Sequence, residues 1–397
     1  MSREMSVRAG FLSLFLWALL PCAATSASAA EPPCSEAATL IKRGVAIGDG
    51  SEQEMEFYRK AEELCPKMPE SHFNLGIAMQ RRGQLNGAED ELRKAISIKD
   101  EDKFRIGLAS VLLQRGEVSA SKDQYERVLQ REPADVEALQ GLALVLEKQG
   151  KIHEAVDSLQ KAQRHAPNNP TTAFNLAVLQ EKLKRDDVAI AEYRRVTELQ
   201  PKHFLAHYYL GLLLTKTGSI TEARRVLEHA AELKPEDVKV QLALAEVYER
   251  SGDEEQAGSA LKRIAVLAPT SAVAQANFGL FLLHRGELEE SVSRLTVAST
   301  LDPKSSHIWS ALGHAQIEAG QLADAEQSLR QAVSLDPSNP NAHNNLGVLL
   351  DRTGHPDEAR QQFAEALQLN PKLEAAQKNL EATETWYPLT SIFKSLR

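Results

Sequence analysis

The sequence is poor in aromatic residues and cysteines, and it has no run of basic side chains. Aromatic residues fill 5% of the 397 positions, and 55 acidic side chains outnumber 46 lysines and arginines for a formal net charge of −9. Because acidic and basic residues alternate, this charge favours solubility and argues against nucleic acid or an anionic membrane as a partner. The 43% hydrophobic content is ordinary for a globular protein, so disorder and collagen-like structure are excluded.

The chain also lacks the short motifs of common catalytic and metal sites. It contains no Gly-rich phosphate loop and no HExxH, CxxC or GxSxG. The most suggestive histidines are His284, His307 and His314, but the last two are seven residues apart, about 10 Å along a helix, too far for one metal ion. We interpret them as polar residues that face the groove of the fold. The sequence therefore predicts a protein that is not an enzyme and binds no metal or cofactor.

Residues 1–30 have the three-part pattern of a secretory signal peptide. Arg3 and Arg8 precede the apolar stretch FLSLFLWALL, and PCAATSASAA ends in small residues, with cleavage expected after Ala29 or Ala30. Two alternatives remain at this end of the chain. An uncleaved anchor would have an apolar run of about 14 residues, roughly 21 Å as helix, which is short for a hydrocarbon core of about 30 Å.

A lipidated Cys22 is the other alternative, although Pro21 stands where bacterial lipoproteins carry a small residue. No second stretch is long and apolar enough to span a membrane. We therefore expect a soluble mature protein in an exported compartment that permits disulfides, most simply the periplasm, with secretion or an organelle lumen as alternatives.

A proline recurs along the chain at intervals of 34 residues. After a first interval of 67, every step is 34, and the missing proline falls at Asp100 in a block of 33. Apolar residues fall at helical spacing in both halves of each block, so the period predicts stacked helical hairpins. The prolines are Pro66, Pro133, Pro167, Pro201, Pro235, Pro269, Pro303, Pro337 and Pro371.

Glycines and small residues recur in phase with the prolines. A glycine in mid-block predicts the turn that ends the first helix, because a left-handed conformation costs least in glycine. Small residues within both halves, such as Gly313 and Ala325, predict close contact between the two helices. The turn glycines are Gly83, Gly116, Gly150, Gly218, Gly252, Gly286, Gly320 and Gly354.

One block carries a complete family signature, formed by Trp309, Leu312, Gly313, Ala325, Ala332 and Pro337. Through these residues the chain resembles the tetratricopeptide-repeat family, over about residues 35–373 in ten blocks. The resemblance implies an all-α fold, a right-handed α-solenoid of antiparallel helix hairpins whose first helices line a concave groove. Block one departs from the pattern at Lys42 and Glu54, and block five has Lys184 in place of the turn glycine.

The last segment, 374–397, follows the tenth block. We interpret it as a capping helix with an aromatic tail. The tail side chains either cover the exposed end of the last block or anchor a partner or a membrane surface. They are Trp386, Tyr387, Leu389, Ile392 and Phe393.

Two cysteines remain after signal cleavage, Cys34 and Cys65. In a helical hairpin the start of the first helix lies beside the end of the second, so these thiols should face each other at the N-terminal end of the stack. A disulfide closing about 32 residues stabilises by roughly 3.5 kcal/mol in the chain-entropy model. Terminal repeats lack one neighbour, and we interpret the pair as a staple on the first hairpin. The alternative is two buried or free thiols.

Equivalent positions of a solenoid form columns, which predicts the residues of a partner-binding groove. Asparagine recurs at the sixth position of the first helix, where the resemblance implies a hydrogen bond to an extended peptide. A carboxamide can donate to and accept from one peptide unit. The alternatives are an ordinary polar face for the asparagines and burial between blocks for their apolar neighbours. The asparagines are Asn74, Asn175, Asn277 and Asn345, and the apolar residues are Phe174, Val178, Tyr208, Tyr209, Leu212, Leu242 and Leu280.

The resulting hypothesis is an exported, non-enzymatic protein–protein interaction scaffold. It would bind a partner polypeptide in the concave groove during assembly of an envelope or secretion complex. The alternative is a holdase-like chaperone or carrier for exported polypeptides.

Overall fold

The computed structural model of the protein describes residues 32–386, which form 21 α-helices and contain no β-strand. This architecture confirms the predicted all-α fold of paired helices. The predicted signal peptide and the tail residues 387–397 lie outside the described residues. The helices are α1 Pro32–Ile47, α2 Glu52–Leu64, α3 Pro69–Arg81, α4 Leu85–Ile98, α5 Asp102–Arg115, α6 Val118–Arg131, α7 Val136–Lys148, α8 Ile152–His165, α9 Pro170–Lys182, α10 Asp186–Leu199, α11 Phe204–Thr217, α12 Ile220–Leu233, α13 Val238–Arg250, α14 Glu254–Leu267, α15 Ala272–His284, α16 Leu288–Leu301, α17 Ser306–Glu318, α18 Leu322–Leu335, α19 Pro340–Arg352, α20 Pro356–Leu369 and α21 Glu374–Trp386.

The helices pack in sequence order within two compact units. For the helices other than α11, an odd-numbered helix pairs with the even-numbered helix after it, as in α3 with α4 or α19 with α20, and the second helix of a hairpin packs on the first helix of the next. The N-terminal unit is Met1–Leu213 and the C-terminal unit is Leu214–Arg397. Among the described residues no helix is long and apolar enough to cross a membrane.

Several first helices begin with a side-chain cap, and small residues let the two helices of a hairpin pack closely. Asp135 accepts a hydrogen bond from the Ala138 N–H and Ser271 from the Ala274 N–H, which satisfies amides that the helix leaves unpaired. Inside a hairpin, a Cβ at Gly313 on α17 would lie 2.5 Å from the Leu329 side chain on α18. The close contacts therefore come from small residues facing large ones, as the sequence columns predict.

Block one uses a different residue for close packing. A Cβ at Gly44 would lie 2.5 Å from the Tyr58 ring, so Gly44 supplies the contact that Lys42 cannot. Glu54 is buried, and its carboxylate accepts hydrogen bonds from the Gly50 N–H and, at 3.0 Å, from the Tyr58 hydroxyl. Arg81 on α3 also lies 3.4 Å from this carboxylate, so the buried group is paired both within its hairpin and with the next one, as a buried polar group must be.

Two other departures from the repeat are accommodated locally. Lys184 has φ of 58° and is the one non-glycine with positive φ among residues 32–386. Its N–H donates to Glu181 O and the Arg185 N–H to Gln180 O, the same bonds that Gly150 and Lys151 make one block earlier. At the missing proline, the Asp100 carboxylate accepts two hydrogen bonds of 2.7 Å from Arg105.

The two ends of the helix array are also packed. The sulfurs of Cys34 and Cys65 lie at disulfide distance, with Cα atoms 5.0 Å apart, which joins the start of α1 to the residue after α2. At the other end α21 packs against α19 and α20, and Leu380 contacts the cluster around Phe363.

Candidate partner-binding face

First helices are neighbours within each unit. In the N-terminal unit α3 contacts α5 and α5 contacts α7, while in the C-terminal unit α15 contacts α17 and α17 contacts α19. All the sequence-predicted groove residues lie on first helices, namely α3, α9, α11, α13, α15 and α19. Each unit therefore presents these residues on its first-helix face.

The N-terminal unit concentrates aromatic side chains on this face. The Phe174 ring lies 5.7 Å from Tyr193 and 6.1 Å from Tyr209, and Tyr209 lies 5.4 Å from Tyr208 between ring centroids. Phe174 and Tyr208 are 4% and 7% exposed, whereas Tyr209 is half-buried. The cluster is therefore mainly a core with one accessible edge.

Val178 and Leu212 stand beside the aromatic cluster and are also half-buried. Burial, followed by the Glu181 carboxylate, raises the pKa of Tyr193, and burial likewise raises the pKa of Tyr209. Burial lowers the pKa of His203, whose Nδ1 accepts a hydrogen bond of 3.1 Å from the Ala206 N–H. The accessible edge is thus uncharged near neutral pH and suits an apolar partner.

The asparagine column is not uniform. The Asn345 carboxamide is half-buried and donates to Ser310 O at 3.3 Å on the preceding first helix. Asn74 and Asn175 are 3% and 4% exposed. The Asn175 Nδ2 has no hydrogen-bond acceptor among the described residues. Asn277 alone of the four is exposed, so only its carboxamide is open to a partner without rearrangement.

Sequence reasoning missed a fifth member of this column. Asn379 on α21 stands eight residues after Pro371, in the same phase as the others, and donates to the Asn344 Oδ1 at 3.0 Å. The phase of the prolines could have identified it. Like Asn345, it joins neighbouring first helices, which is a packing role.

The C-terminal unit exposes aliphatic residues on its first-helix face. Val273, Asn277 and Leu280 occupy positions i, i+4 and i+7 of α15, and so share one face of the helix. Val273 is 65% and Leu280 37% exposed, and Leu242 on α13 is 45% exposed. We call Val273, Asn277 and Leu280 the α15 stripe. Val273 was not predicted, although its spacing from Asn277 could have indicated it.

The histidines considered in the sequence lie near this stripe. His284 is the last residue of α15, and His307 and His314 lie on α17, all three exposed. Desolvation lowers the pKa of His314, which leaves its ring neutral at neutral pH. These residues add polar surface to the C-terminal unit.

Comparison with known protein families gives a clear match. The tetratricopeptide-repeat pattern matches residues 106–170, 174–237 and 310–374, and a second pattern of the same description matches 214–277. The chain belongs to the tetratricopeptide-repeat family. Members of this family are generally interaction scaffolds that bind protein or peptide partners rather than catalysts, and this chain has that fold. No curated protein sequence matches it.

Several solved structures are similar to parts of this chain. A protein from Parabacteroides merdae is 16% identical, covering 71% of this chain and 98% of its own, with a TM-score of 0.40. Pseudomonas aeruginosa pilF is 20% identical over 51% of this chain and 92% of its own, with a TM-score of 0.46. YrrB, described as having an unusual peptide-binding site, is 16% identical over 47% and 96%, with a TM-score of 0.41.

Proposed function

We propose that this protein is an exported, non-enzymatic scaffold that binds an extended polypeptide on the first-helix face of its C-terminal unit. The observation that carries the proposal is the α15 stripe, in which an exposed carboxamide lies between two exposed aliphatic side chains. The signal-like N-terminus supports export, and an exported scaffold would serve the assembly of an envelope or secretion complex.

The stripe has the chemistry that an extended chain requires. Asn277 can donate to and accept from one peptide unit, which fixes the position of the backbone. Val273 and Leu280 lie seven residues apart, about 10 Å along the helix. A peptide in the extended polyproline II conformation covers about 9 Å in three residues and returns its side chains to the same face. Two apolar side chains of the partner can therefore cover Val273 and Leu280 while the peptide bond between them pairs with Asn277.

The N-terminal unit supports the proposal in a different way. Its aromatic edge at Tyr209, with Val178 and Leu212, is apolar and uncharged, but it exposes less surface than the α15 stripe. We assign it a secondary role as an additional contact for an apolar side chain. Phe174 and Tyr208 are buried and pack against Tyr209 from the core.

A holdase-like chaperone is the second candidate. Exposed aliphatic side chains favour it because they bind apolar segments with little sequence preference. The two functions differ in what they bind: a scaffold selects one partner or one sequence pattern, whereas a chaperone suppresses aggregation of many unfolded clients.

Matched leucine substitutions test the proposal. Leu280 and Leu369 are both 37% exposed, but Leu280 lies on a first helix and Leu369 at the end of a second helix. Peptides selected from a phage-displayed random library on the wild-type protein should lose affinity with Leu280→Asp by about 10-fold or more, since an apolar contact contributes about 1.5 kcal/mol or more. Leu369→Asp should leave the affinity unchanged.

Other results would contradict the proposed binding face or support the chaperone function. Equal loss with both aspartates, or none with Leu280→Asp, would refute the placement of the groove. If no peptide pattern is selected but aggregation of several unrelated denatured proteins is suppressed in a Leu280-dependent manner, the chaperone function is supported instead.

A further inference from the structure

A histidine and two glutamates converge at the joint of the first two hairpins. Glu62 comes from α2, His72 from α3 and Glu91 from α4. His72 and Glu91 are 5% and 8% exposed and Glu62 is half-buried. One ligating atom from each residue lies within 4.8 Å of the other two. None of these residues belongs to the partner-binding face.

The hydrogen-bond acceptors that meet at His72 Nδ1 require a proton or a cation between them. The His72 Nε2 lies 3.3 Å from Pro66 O, which can only accept, so this nitrogen carries a hydrogen. The Nδ1 on the other side of the ring faces Glu62 Oε1 at 2.6 Å and Glu91 Oε2 at 2.7 Å. In the neutral ring these three converging atoms are all acceptors, so a proton or a metal ion must lie among them.

A second histidine in the same repeat position, His343, shows that the packing of neighbouring hairpins does not require the two carboxylates. The His343 Nε2 lies 2.9 Å from Pro337 O, and its Nδ1 lies 2.8 Å from the Gln362 Oε1. At an offset of 271 residues, Gln362 replaces Glu91 and Val333 replaces Glu62. The hairpin joint therefore folds around a histidine without either carboxylate, and the two glutamates are an addition at the first joint.

We propose that Glu62, His72 and Glu91 bind one divalent transition-metal cation, of which Zn²⁺ is the best fit. Zinc takes imidazole nitrogen and carboxylate oxygen together, and three protein ligands leave one coordination position open. The bond from His72 Nε2 to the Pro66 carbonyl is the outer contact that fixes the ring of a metal-ligating histidine.

The surroundings accept a cation with a small adjustment. The carboxylates of Glu62 and Glu91 face the same nitrogen of His72, so they crowd each other. The Lys94 ammonium pairs with the Glu91 Oε1 at 2.7 Å, which leaves the Oε2 that faces His72 for the ion. Zinc bonds of about 2.0–2.1 Å require the ligand atoms to spread to roughly 3 Å apart. The metal would tie α2, α3 and α4 together beside the Cys34–Cys65 bridge.

Zinc titration of the purified, untagged protein with its disulfide intact tests the proposal. Calorimetry with zinc chloride should show one ion per chain, and Co²⁺ substituted at the site should give an absorption spectrum of nitrogen and oxygen ligands. His72→Gln and Glu91→Gln should weaken binding at least about 100-fold, because outer contacts alone contribute roughly 10–100-fold. His343→Gln is the matched control and should bind as the wild type does.

Two results would overturn the site. Absence of binding by the wild type below roughly 100 μM zinc would mean that a proton on His72 holds the carboxylates. Binding that persists unchanged in His72→Gln would place the ion on other histidines. Circular dichroism checks that each variant folds, and if Glu91→Gln does not, Glu62→Gln at the more exposed ligand replaces it.

Discussion

The two units are built from the same hairpin but depart from it in different ways. In the N-terminal unit Asp100 replaces a proline, Lys184 replaces a turn glycine and Glu54 replaces a small residue. The C-terminal unit keeps a proline and a turn glycine in every block, as at Gly286 and Pro303. The irregular unit buries its aromatic first-helix residues, whereas the regular unit exposes aliphatic ones.

This difference separates two uses of one repeat. Where the N-terminal unit loses a repeat feature, a charged or polar side chain takes its place, as the Asp100–Arg105 pair does at the missing proline. The C-terminal unit needs no such substitution, and its variation falls on surface positions such as Val273 and Leu280. We infer that the N-terminal unit varies in the side chains that hold neighbouring helices together. The C-terminal unit varies in the side chains that it exposes on its first-helix face.

Truncating one first-helix side chain in each unit should give the largest difference in the free energy of unfolding. Phe174→Ala should lower the free energy of unfolding by about 3–5 kcal/mol, because it removes a buried ring from the aromatic cluster. Leu280→Ala should change it by less than about 0.5 kcal/mol, because Leu280 is surface-exposed. Chemical denaturation followed by circular dichroism measures both. Similar losses for the two variants would contradict the division into a closed and an open face.

Removing the disulfide should have the next largest effect, confined to one end. Cys34→Ser with Cys65→Ser should destabilise the first hairpin by roughly 3–4 kcal/mol, the chain-entropy value for a loop of this length. Hydrogen exchange should accelerate in α1 and α2 and stay unchanged in α15, because each hairpin contacts only its neighbours. Acceleration spread evenly over both units would show that the bridge does not act locally.

The ion pair at the missing proline predicts a pH dependence. Hydrogen bonds from Arg105 and then Arg131 hold the pKa of Asp100 far below its ordinary value. Because this pKa is lowered, the charged carboxylate stabilises the fold at pH values above the unfolded pKa of about 3.9. This stabilisation is lost as the pH falls toward the folded pKa. Asp100→Asn should therefore cost about 1–2 kcal/mol at pH 7, since the carboxylate is partly exposed and its partner Arg105 is buried.

The measurement is the difference in denaturation midpoint between wild type and Asp100→Asn from pH 7 to pH 3. The difference should be constant above about pH 5 and shrink below about pH 4. Asp123→Asn, an exposed change on α6 of the same hairpin, is the control. A difference that grows on acidification would be the wrong sign for this ion pair.

The fold was largely predictable because the repeat encodes it redundantly. The proline period, the turn glycines and the helical spacing each predict the same hairpins, so a single loss such as Lys184 leaves the other signals intact. The exceptions that sequence reasoning could not resolve were local substitutions. Nothing in the pattern indicated that Gly44 would contact Tyr58 or that Arg105 would pair with Asp100.

The partner-binding residues were harder to predict because phase gives the face of a helix but not its exposure. Asn175 and Asn277 occupy equivalent positions, yet one is buried and the other exposed. Exposure depends on the size of side chains from neighbouring hairpins, here the aromatic rings around Phe174. The cluster of Glu62, His72 and Glu91 was missed because its residues come from three helices without a motif spacing.

The smallest expected effect on the free energy of unfolding is at the turn where Lys184 replaces glycine. A non-glycine residue in a left-handed conformation costs about 1–2 kcal/mol, and a glycine gives back part of the gain through a more flexible unfolded chain. Lys184→Gly should therefore raise the free energy of unfolding by about 0.5–1 kcal/mol in chemical denaturation. Lys184→Ala removes the same charge but keeps the strained φ of 58°, so it should give no such gain. An equal gain from alanine would trace the effect to the lysine side chain, and the turn would then differ from Gly150 in charge rather than in backbone strain.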